Sequence, residues 1–583
     1  MEGKLFKGTK RIFKAKKFNN FKEMILNTQK EFGDRPAFKF KTDEPGKLRE
    51  ILYKDYLEEV IALSTALNSV GLENKRIGII GENRYEWEMA YLAITAGTGV
   101  AVPLDKGLPE GEIISLIERS EMDAIFFAGK YEETVVKALN EKTGNLKLLI
   151  SMDEESTNGD IKSQKELVKL GKDLVKNGSK SFEEHEINEK VMGVMIFTSG
   201  TTSKSKAVML SQENICSNIY DISSVFDINT NDTLLSFLPL HHTYEATVTF
   251  LNSVSVGASI AFCDGLRYIA NNLKEYKITV MISVPLLFES MYKKVLKGIE
   301  EKGKTKKVKF GIALTKALRK IGIDKRRDIF KEIHENFGGE LRLCVTGAAA
   351  LDKETEKGFN ELGIELYQGY GLTEASPVVA AEHRGVHKFG SIGQLFPSLE
   401  GKVIEPNEQG IGELVINGPS VMLGYYNNEE ATKETFTEDG YLKTGDLGYF
   451  DNDGYFFVTG RKKDVIVLKN GKNVYPDEIE ILINRLPGVK ESFVYGKPNE
   501  KDPEDLKIGA KVVYDEEHVE EVFGTTDEKE IKEKIWQSIK EEVNKKMPTY
   551  KYIKELTVTK VPLIKTTTSK IKRFEEYKTI VNK

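Results

Sequence analysis

Between Phe197 and Leu210 the chain reads FTSGTTSKSKAVML, and every residue from Thr198 to Lys206 is a hydroxyl residue, a glycine or a lysine. Such a stretch can surround a polyphosphate. Hydroxyls and exposed backbone N–H groups donate to the oxygens, and Lys206 adds a positive charge. Gly200 lacks a Cβ, so the backbone there can approach closely. The apolar runs VMGVMIF and AVML on either side argue against a flexible linker. A Walker A loop needs G-x-x-x-x-G-K-[ST] opening directly into a helix. Counted from Gly200, its second glycine falls on Ser205, and Lys206 is followed by Ala207. AVML reads as a strand, with a helix starting only near Ser211. The loop is therefore a phosphate cradle of a different kind.

The elements that must hold this loop are legible as periodicity. RIGIIGE, VAVPL, DAIFFA and LKLLISM read as strands, and EWEMAYLAITAG, EGEIISLIERS and ETVVKALN as the helices between them. That rhythm indicates a parallel sheet covered by helices. Residues 153–190 are charged and weakly periodic, and read as a surface helix-and-loop connection. The alternation resumes with VMGVMIF, TLLSFLPL, SIAFCD, TVMISVP and LRLCVTG, interrupted by the lysine-rich residues 293–335. After Gly390, GKVIEP, IGELVING and GYFFVTG predict a small β-rich subdomain. RKKD at Arg461–Asp464 then opens a final region with its own strands and helices. The expected architecture is α/β, with a large N-terminal part (1–460) and a separate, smaller α+β C-terminal domain.

Composition excludes several classes. A formal net charge of −5 over 583 residues offers no field for nucleic acid. Cys216, Cys263 and Cys344 lack metal or redox spacing, which fits a reducing cytoplasm. His383 and His387 have Gly385 between them and read as loop residues. MEGKLFKGTKRIFKAKK is basic with no apolar segment after it, so it is expected to be a solvated leader rather than a signal peptide. It could also touch an anionic membrane surface. No run has the length of a spanning helix.

Six further segments give the phosphate loop a context. LPLHHTYE occupies Leu238–Glu245, VTGAAAL Val345–Leu351, and YQGYGLTEASP Tyr367–Pro377. YLKTGDLG follows at Tyr441–Gly448, GRKKDVIVLKNGKNVYPDEIE at Gly460–Glu480, and IKTTTSKIKR at Ile564–Arg573. Together, and in this order, they resemble the signature motifs of the adenylate-forming superfamily. The resemblance covers the chain from about residue 20 onward.

That resemblance implies an ATP-dependent activation of a carboxylic acid as acyl-adenylate, followed by transfer to the thiol of coenzyme A. It assigns Thr198, Ser199, Gly200, Thr201, Thr202 and Lys206 to the phosphates, with Thr373 and Glu374 closing the GLTE motif. Glu374 supplies a hard oxygen suited to Mg²⁺. Gly347, Ala348 and Tyr370 would frame the adenine and Gln368 would read its polar edge. Asp446 would accept from the ribose hydroxyls, supported by Arg461. His242 would line the acyl pocket near the reacting carboxylate. Lys570 would stabilise the charge that builds as carboxylate attacks the α-phosphate. Several basic residues lie close by, and only the motif's phase selects Lys570. The resemblance also makes 461–464 a hinge and 465–583 a mobile domain: in the second half-reaction a rotation about Lys463 would exchange Lys570 for the face bearing Lys469 and Gly471, beside the pantetheine arm.

The wording LPLHHTYE and the lysine-rich insertion resemble long-chain fatty acyl-CoA synthetases. A carrier-protein phosphopantetheine presents the same thiol arm, and a degenerate nucleotide- or lipid-binding homologue is a third reading. The expected partners are ATP, a carboxylic acid and CoA. The expected location is cytoplasmic, with peripheral membrane contact and oligomerisation both left open. The chain departs from the family pattern at Ser203, Ser205 and Ala207, where Gly, Pro and Gly are usual, and at Ser569. Without proline the loop starts from more conformations. On that reading Ser205→Pro lowers the apparent KM for ATP.

Overall fold

The predicted alternation of strands and helices builds two large sheets. The structure is a computed structural model that describes residues 3–42, 44, 46–198, 205–499, 502–516, 519–566 and 570–581. It divides into two compact units: residues 7–400 with 417–442, and residues 1–6 with 401–416 and 443–583.

The larger unit contains an eight-stranded and a nine-stranded sheet. In the first, Arg76–Ile80, Val100–Pro103, Ala124–Phe127 and Leu148–Ser151 run parallel, as their uninterrupted apolar character requires. Met192–Thr198 joins them in parallel beside Val100–Pro103. The helices Tyr85–Gly97, Glu110–Ser120 and Glu132–Asn140 fall where predicted. The charged stretch 153–190 does more than bridge: Ile161–Ser163 adds an edge strand, and Leu167 and Val168 of the next helix are buried. Its few apolar residues sit on one helix face, which a weakly periodic reading overlooks.

In the second sheet Thr233–Ser236, Ser259–Phe262, Val280–Ser283, Leu343–Thr346 and Glu365–Gly371 run parallel. Ligand sites in open parallel sheets form beyond the carboxyl ends of such strands. LPLHHTYE, VTGAAAL and the GLTE segment all follow those ends in sequence.

The basic N-terminal stretch is not a free leader. Ile12 and Phe13 both donate backbone N–H bonds to the Ser224 carbonyl, and Arg11 pairs with buried Asp221 at 2.8 Å. Phe18 is buried. Charge alone suggested solvent, but the two backbone bonds, the Arg11–Asp221 pair and buried Phe18 fasten the segment down. No helix is long and apolar enough to cross a membrane among the described residues.

The smaller unit holds a five-stranded sheet that includes Glu400–Ile404, Gly412–Asn417, Leu442–Phe450 and Phe456–Arg461. It also holds a three-stranded sheet of Val489–Asn499, Asp502–Tyr514 and Glu555–Thr559. The latter packs on the helices Pro476–Asn484 and Glu528–Ser538 around Ile479, Ile483, Val512, Ile531 and Ile535.

Candidate active site

The cradle's two flanks are antiparallel strands, Met192–Thr198 and Lys206–Ser211, with Thr198 opposite Lys206. Ser199, Gly200, Thr201, Thr202 and Ser203 lie outside the described residues. The strand after Lys206 ends at Ser211, which caps the helix Gln212–Val225 with a reciprocal Ser211–Asn214 capping box. Such a cap contributes about 1 kcal/mol. It fixes where the strand ends, and the absence of a helix directly after Lys206 confirms that the loop is not of Walker type.

Lys206 and Glu374 are brought together by a third residue. The strand Gly424–Tyr425 pairs with Val208 and Met209, which sets Tyr425 beside Lys206. The Lys206 ammonium stands 4.7 Å from the Tyr425 ring centre. The Tyr425 hydroxyl donates to Glu374 Oε1 at 2.9 Å. Burial, reinforced by the Glu374 carboxylate, pushes the Tyr425 phenol well above its ordinary pKa, so it stays a donor. Glu374 is half-buried, and its other oxygen has no hydrogen bond among the described residues. One oxygen fixed and one available is a donor set that suits a hard divalent cation. Thr373 is buried in the same turn, Thr373–Ala375.

Arg119 holds the exit of the cradle. It lies in the last turn of the helix Glu110–Ser120 and donates from Nη1 to Ser205 Oγ at 3.0 Å and from Nη2 to the Ser205 carbonyl. Its guanidinium lies 5.3 Å from the Phe197 ring centre.

The adenine candidates meet across a parallel pair, Thr346 opposite Gln368. Gly347 is buried against Tyr244: a Cβ there would lie 3.2 Å from the tyrosine Cζ. Ala348 takes φ +73°, a left-handed conformation that is uncommon without glycine. Tyr370 is half-buried on the same strand as Gln368. The Gln368 amide accepts from the Leu351 N–H at 2.8 Å and donates to the Ser391 carbonyl at 3.4 Å. Its polar edge is thus engaged with the protein's own backbone.

His242 accepts from the Tyr244 N–H at Nδ1 (3.3 Å) and is half-buried. His241 faces Asp105 at 3.5 Å, and burial lowers its pKa to about 4. Behind this pair lies Glu245, fully buried, accepting from Ser236 Oγ (2.7 Å), Thr249 Oγ1 (2.9 Å) and the Phe237 N–H (3.2 Å). Despite those bonds, burial raises it to about 8. Neighbouring Glu88 is fully buried with neither oxygen hydrogen-bonded among the described residues.

His387 is more than a loop residue. Its Nε2 contacts buried Glu356 at 2.5 Å and lies 3.6 Å from buried Glu382. Glu382 in turn accepts the Gln368 and Lys388 N–H groups. These partners come from three separate segments, which spacing within one motif does not reveal.

In the smaller unit, Asp446 and Arg461 face each other across paired strands, with Arg461 Nε 2.8 Å from Asp446 Oδ1. Asp446 is 4% exposed. Lys463 is exposed in the turn Lys462–Asp464. Lys469 pairs with Asp502 at 2.5 Å, and Gly471, at φ +76°, closes a tight turn with open space where a Cβ would be. Lys570 is exposed, with its backbone bonded to Thr566 in both directions. Three residues on, Arg573 donates two bonds to Glu480 (2.9 and 2.7 Å), contacts Asp477, and lies 3.5 Å from Asp464. Tyr425, Arg119 and Arg573 were not foreseen. Each acts through a contact distant in sequence.

Comparison with known proteins identifies the family and the fold. The AMP-binding enzyme family matches residues 26–426, and the AMP-binding enzyme C-terminal domain matches residues 463–580. Rat long-chain-fatty-acid–CoA ligase 5 is 30% identical over 508 residues, covering 80% of this chain and 74% of that protein. The long-chain-fatty-acid–CoA ligase FadD15 of Mycobacterium bovis is 27% identical over 538 residues, covering 87% and 84%. The chloroplastic long-chain-fatty-acid–[acyl-carrier-protein] ligase AEE15 of Arabidopsis thaliana is 25% identical, covering 88% and 79%. Among solved structures, the adenylation domain of a Mycobacterium chelonae carboxylate reductase superposes with a TM-score of 0.78 at 20% identity, covering 97% of this chain and 90% of that one. The anthranilate CoA ligase AuaEII gives 0.75 at 18% identity, covering 97% of each.

Proposed function

The chain belongs to the AMP-binding enzyme family, and from that premise we propose that it is an ATP-dependent ligase joining a long-chain fatty acid to the thiol of coenzyme A. The observation that carries this reading is the Lys206–Tyr425–Glu374 arrangement, a cation and a carboxylate fixed at the exit of the phosphate cradle.

In the first half-reaction a carboxylate oxygen attacks the α-phosphorus of ATP. The bond to the β-phosphate oxygen breaks, giving acyl-AMP and pyrophosphate. Thr198, Ser199, Gly200, Thr201, Thr202 and Lys206 bind the leaving phosphates. Glu374 would hold Mg²⁺, which supplies charge neutralisation on the polyphosphate when bound. Gly347, Ala348 and Tyr370 seat the adenine, with Gln368 as part of its backing. Asp446 takes the ribose hydroxyls and Arg461 orients it. His242 orients the acyl carboxylate. Lys570 neutralises the negative charge that converges on the reacting oxygens.

In the second half-reaction the thiol sulfur bonds to the acyl carbon and loses its proton, and the acyl–oxygen bond breaks to release AMP. The turn bearing Lys469 and Gly471 receives the pantetheine arm after rotation at Lys463, which makes residues 465–583 the moving part.

A second reading, transfer to an acyl-carrier protein, is favoured by the similarity to the Arabidopsis ligase. Pyrophosphate release measured across acids of graded chain length tests the substrate, with CoA and carrier protein as alternative acceptors. Maximal release with long-chain acids, and thioester formed on CoA, is expected. A maximum at short or aromatic acids overturns the chain-length assignment. Hydroxamate trapping equal in wild type and Lys570→Ala overturns the enzymatic reading altogether.

A further inference from the structure

The helix Thr305–Lys320 carries two apolar faces instead of one. Its inner face places Val308 and Ile312 against the core formed around Phe288, Ile299 and Phe330. Its outer face exposes Phe310 (70%) and Leu314 (40%), and Ile321 (70%) continues the line just past the helix end. Positions 310, 314 and 321 fall on one stripe at helical spacing, and the exposed Ala313 and Ala317 fill the gaps. Beside the helix, Leu296 of the preceding helix Pro285–Glu301 is 47% exposed and lines an apolar groove of about 300 Å³ with Val308 and Ile312.

Positive charge surrounds the stripe. From Lys302 to Lys331 there are twelve Lys or Arg against two Asp, within a chain whose formal net charge is −5. Lys302 and Lys304 share Glu332, and Lys316 pairs with Glu361. Lys306, Lys307, Lys309 and Lys320 have no ion-pair partner among the described residues. On the helical wheel Lys307 lies on one side of the stripe, Lys309 and Lys320 lie on the other, and Lys306 continues the stripe toward the helix N-terminus.

We propose that this face, centred on Phe310, Leu314 and Ile321, is a peripheral docking surface for an anionic lipid bilayer. The geometry is that of an interfacial helix, with an apolar stripe inserted at the headgroup boundary and lysines on its flanks. Charge complementarity selects the occupant. A protein or a second copy would have to cover exposed aromatic surface with an acidic rim, whereas anionic headgroups supply charge and acyl chains supply apolar volume at the same place. The inference does not depend on the reaction proposed above. It also moves the membrane contact away from the N-terminal stretch, which is tied to the fold through Arg11 and Phe13.

The test is flotation of the full chain with vesicles of phosphatidylcholine alone or mixed equally with phosphatidylglycerol. Binding to the mixed vesicles that weakens as salt is raised is expected. Two variants separate the contributions: Phe310→Ser/Leu314→Ser/Ile321→Ser, and Lys306→Glu/Lys307→Glu/Lys309→Glu/Lys320→Glu. Each should reduce bound protein about tenfold or more, with unchanged far-UV circular dichroism. Lys10→Glu/Lys14→Glu/Lys17→Glu should bind as wild type does. Equal binding to neutral vesicles, or wild-type binding by the serine variant, overturns the proposal. Loss only in the charge-reversed variant also overturns it, because it identifies a polyanion site. A wild-type dimer that the serine variant converts to monomer assigns the face to a second copy instead.

Discussion

The Tyr425 hydroxyl lies 2.9 Å from Glu374 Oε1 while the Tyr425 ring stands beneath the Lys206 ammonium at 4.7 Å. One side chain therefore sets the orientation of a carboxylate and the position of a cation, from a strand that contains neither. Tyr425→Phe keeps the ring and removes the donor. A hydrogen bond to a charged group contributes about 1.5–3 kcal/mol, so kcat/KM for ATP should fall about tenfold or more. Titration of Mg²⁺ at fixed ATP checks the route, because the loss should appear as a higher Mg²⁺ requirement. An unchanged Mg²⁺ dependence would sink the assignment of Tyr425 to Glu374.

Arg119 alters what the sequence suggests for Ser205. Proline at 205 restricts the loop, but it also removes the hydroxyl that accepts from Arg119 at 3.0 Å. The expected result is therefore a raised apparent KM for ATP in Ser205→Pro, opposite to the expectation from chain stiffness alone. Arg119→Met should raise it as well, by about tenfold for a lost charge-assisted bond. Steady-state kinetics at saturating acid decide. A lowered KM in Ser205→Pro restores the stiffness argument, and a wild-type KM in Arg119→Met dismisses the anchor.

What the sequence made legible follows from locality. The strand Lys206–Ser211 and the capped helix after it are written in consecutive residues, as apolar run, serine, then asparagine three positions on. The Asp446–Arg461 pair was reachable because each residue sits in its own motif, and the strand register only had to bring them opposite. Tyr425 and Glu374 are 51 residues apart, and Arg119 and Ser205 are 86 apart. Nothing local to Tyr425 distinguishes it from adjacent Tyr426; pairing with Val208 makes the choice. The basic N-terminus misled for the related reason that its anchors, Asp221 and the Ser224 carbonyl, are distant in sequence.

Glu245 gives the fold a pH dependence whose sign can be worked out. Its folded-state pKa, about 8, is above the ordinary carboxylate value of 4.5, so the folded chain holds this proton more tightly than the unfolded one. The contribution is complete below 4.5, is lost progressively as pH rises toward 8, and is constant beyond. Glu88 acts in the same direction, since burial, with Glu245 beside it, raises its pKa too. Glu245→Gln removes the ionisation while its amide can still bond to Ser236 and Thr249. The Tm of the variant minus that of wild type should therefore increase from pH 5 to pH 8. Calorimetry across that range is the check, and a difference independent of pH rejects the buried-acid account.

Arg573 separates holding the catalytic lysine from being it. Its guanidinium makes two bonds to Glu480, contacts Asp477, and reaches Asp464 one residue beyond Lys463. Glu480 is buried and also accepts the Val494 N–H at 2.7 Å. Removing the partner of a buried carboxylate costs about 3–5 kcal/mol, and lysine cannot reproduce the planar fork. Arg573→Lys should therefore lower the Tm of the C-terminal transition and slow adenylation together, because the segment carrying Lys570 loses its anchor three residues away. Lys570→Ala should do the opposite on stability: its side chain is exposed, so Tm should stay within about 1 °C, as for surface substitutions generally, while adenylation is lost. Measuring Tm and hydroxamate trapping on both variants distinguishes the two roles. Full adenylation in Arg573→Lys at a lowered Tm would leave Arg573 a purely structural residue, and a wild-type Tm would remove the anchor itself.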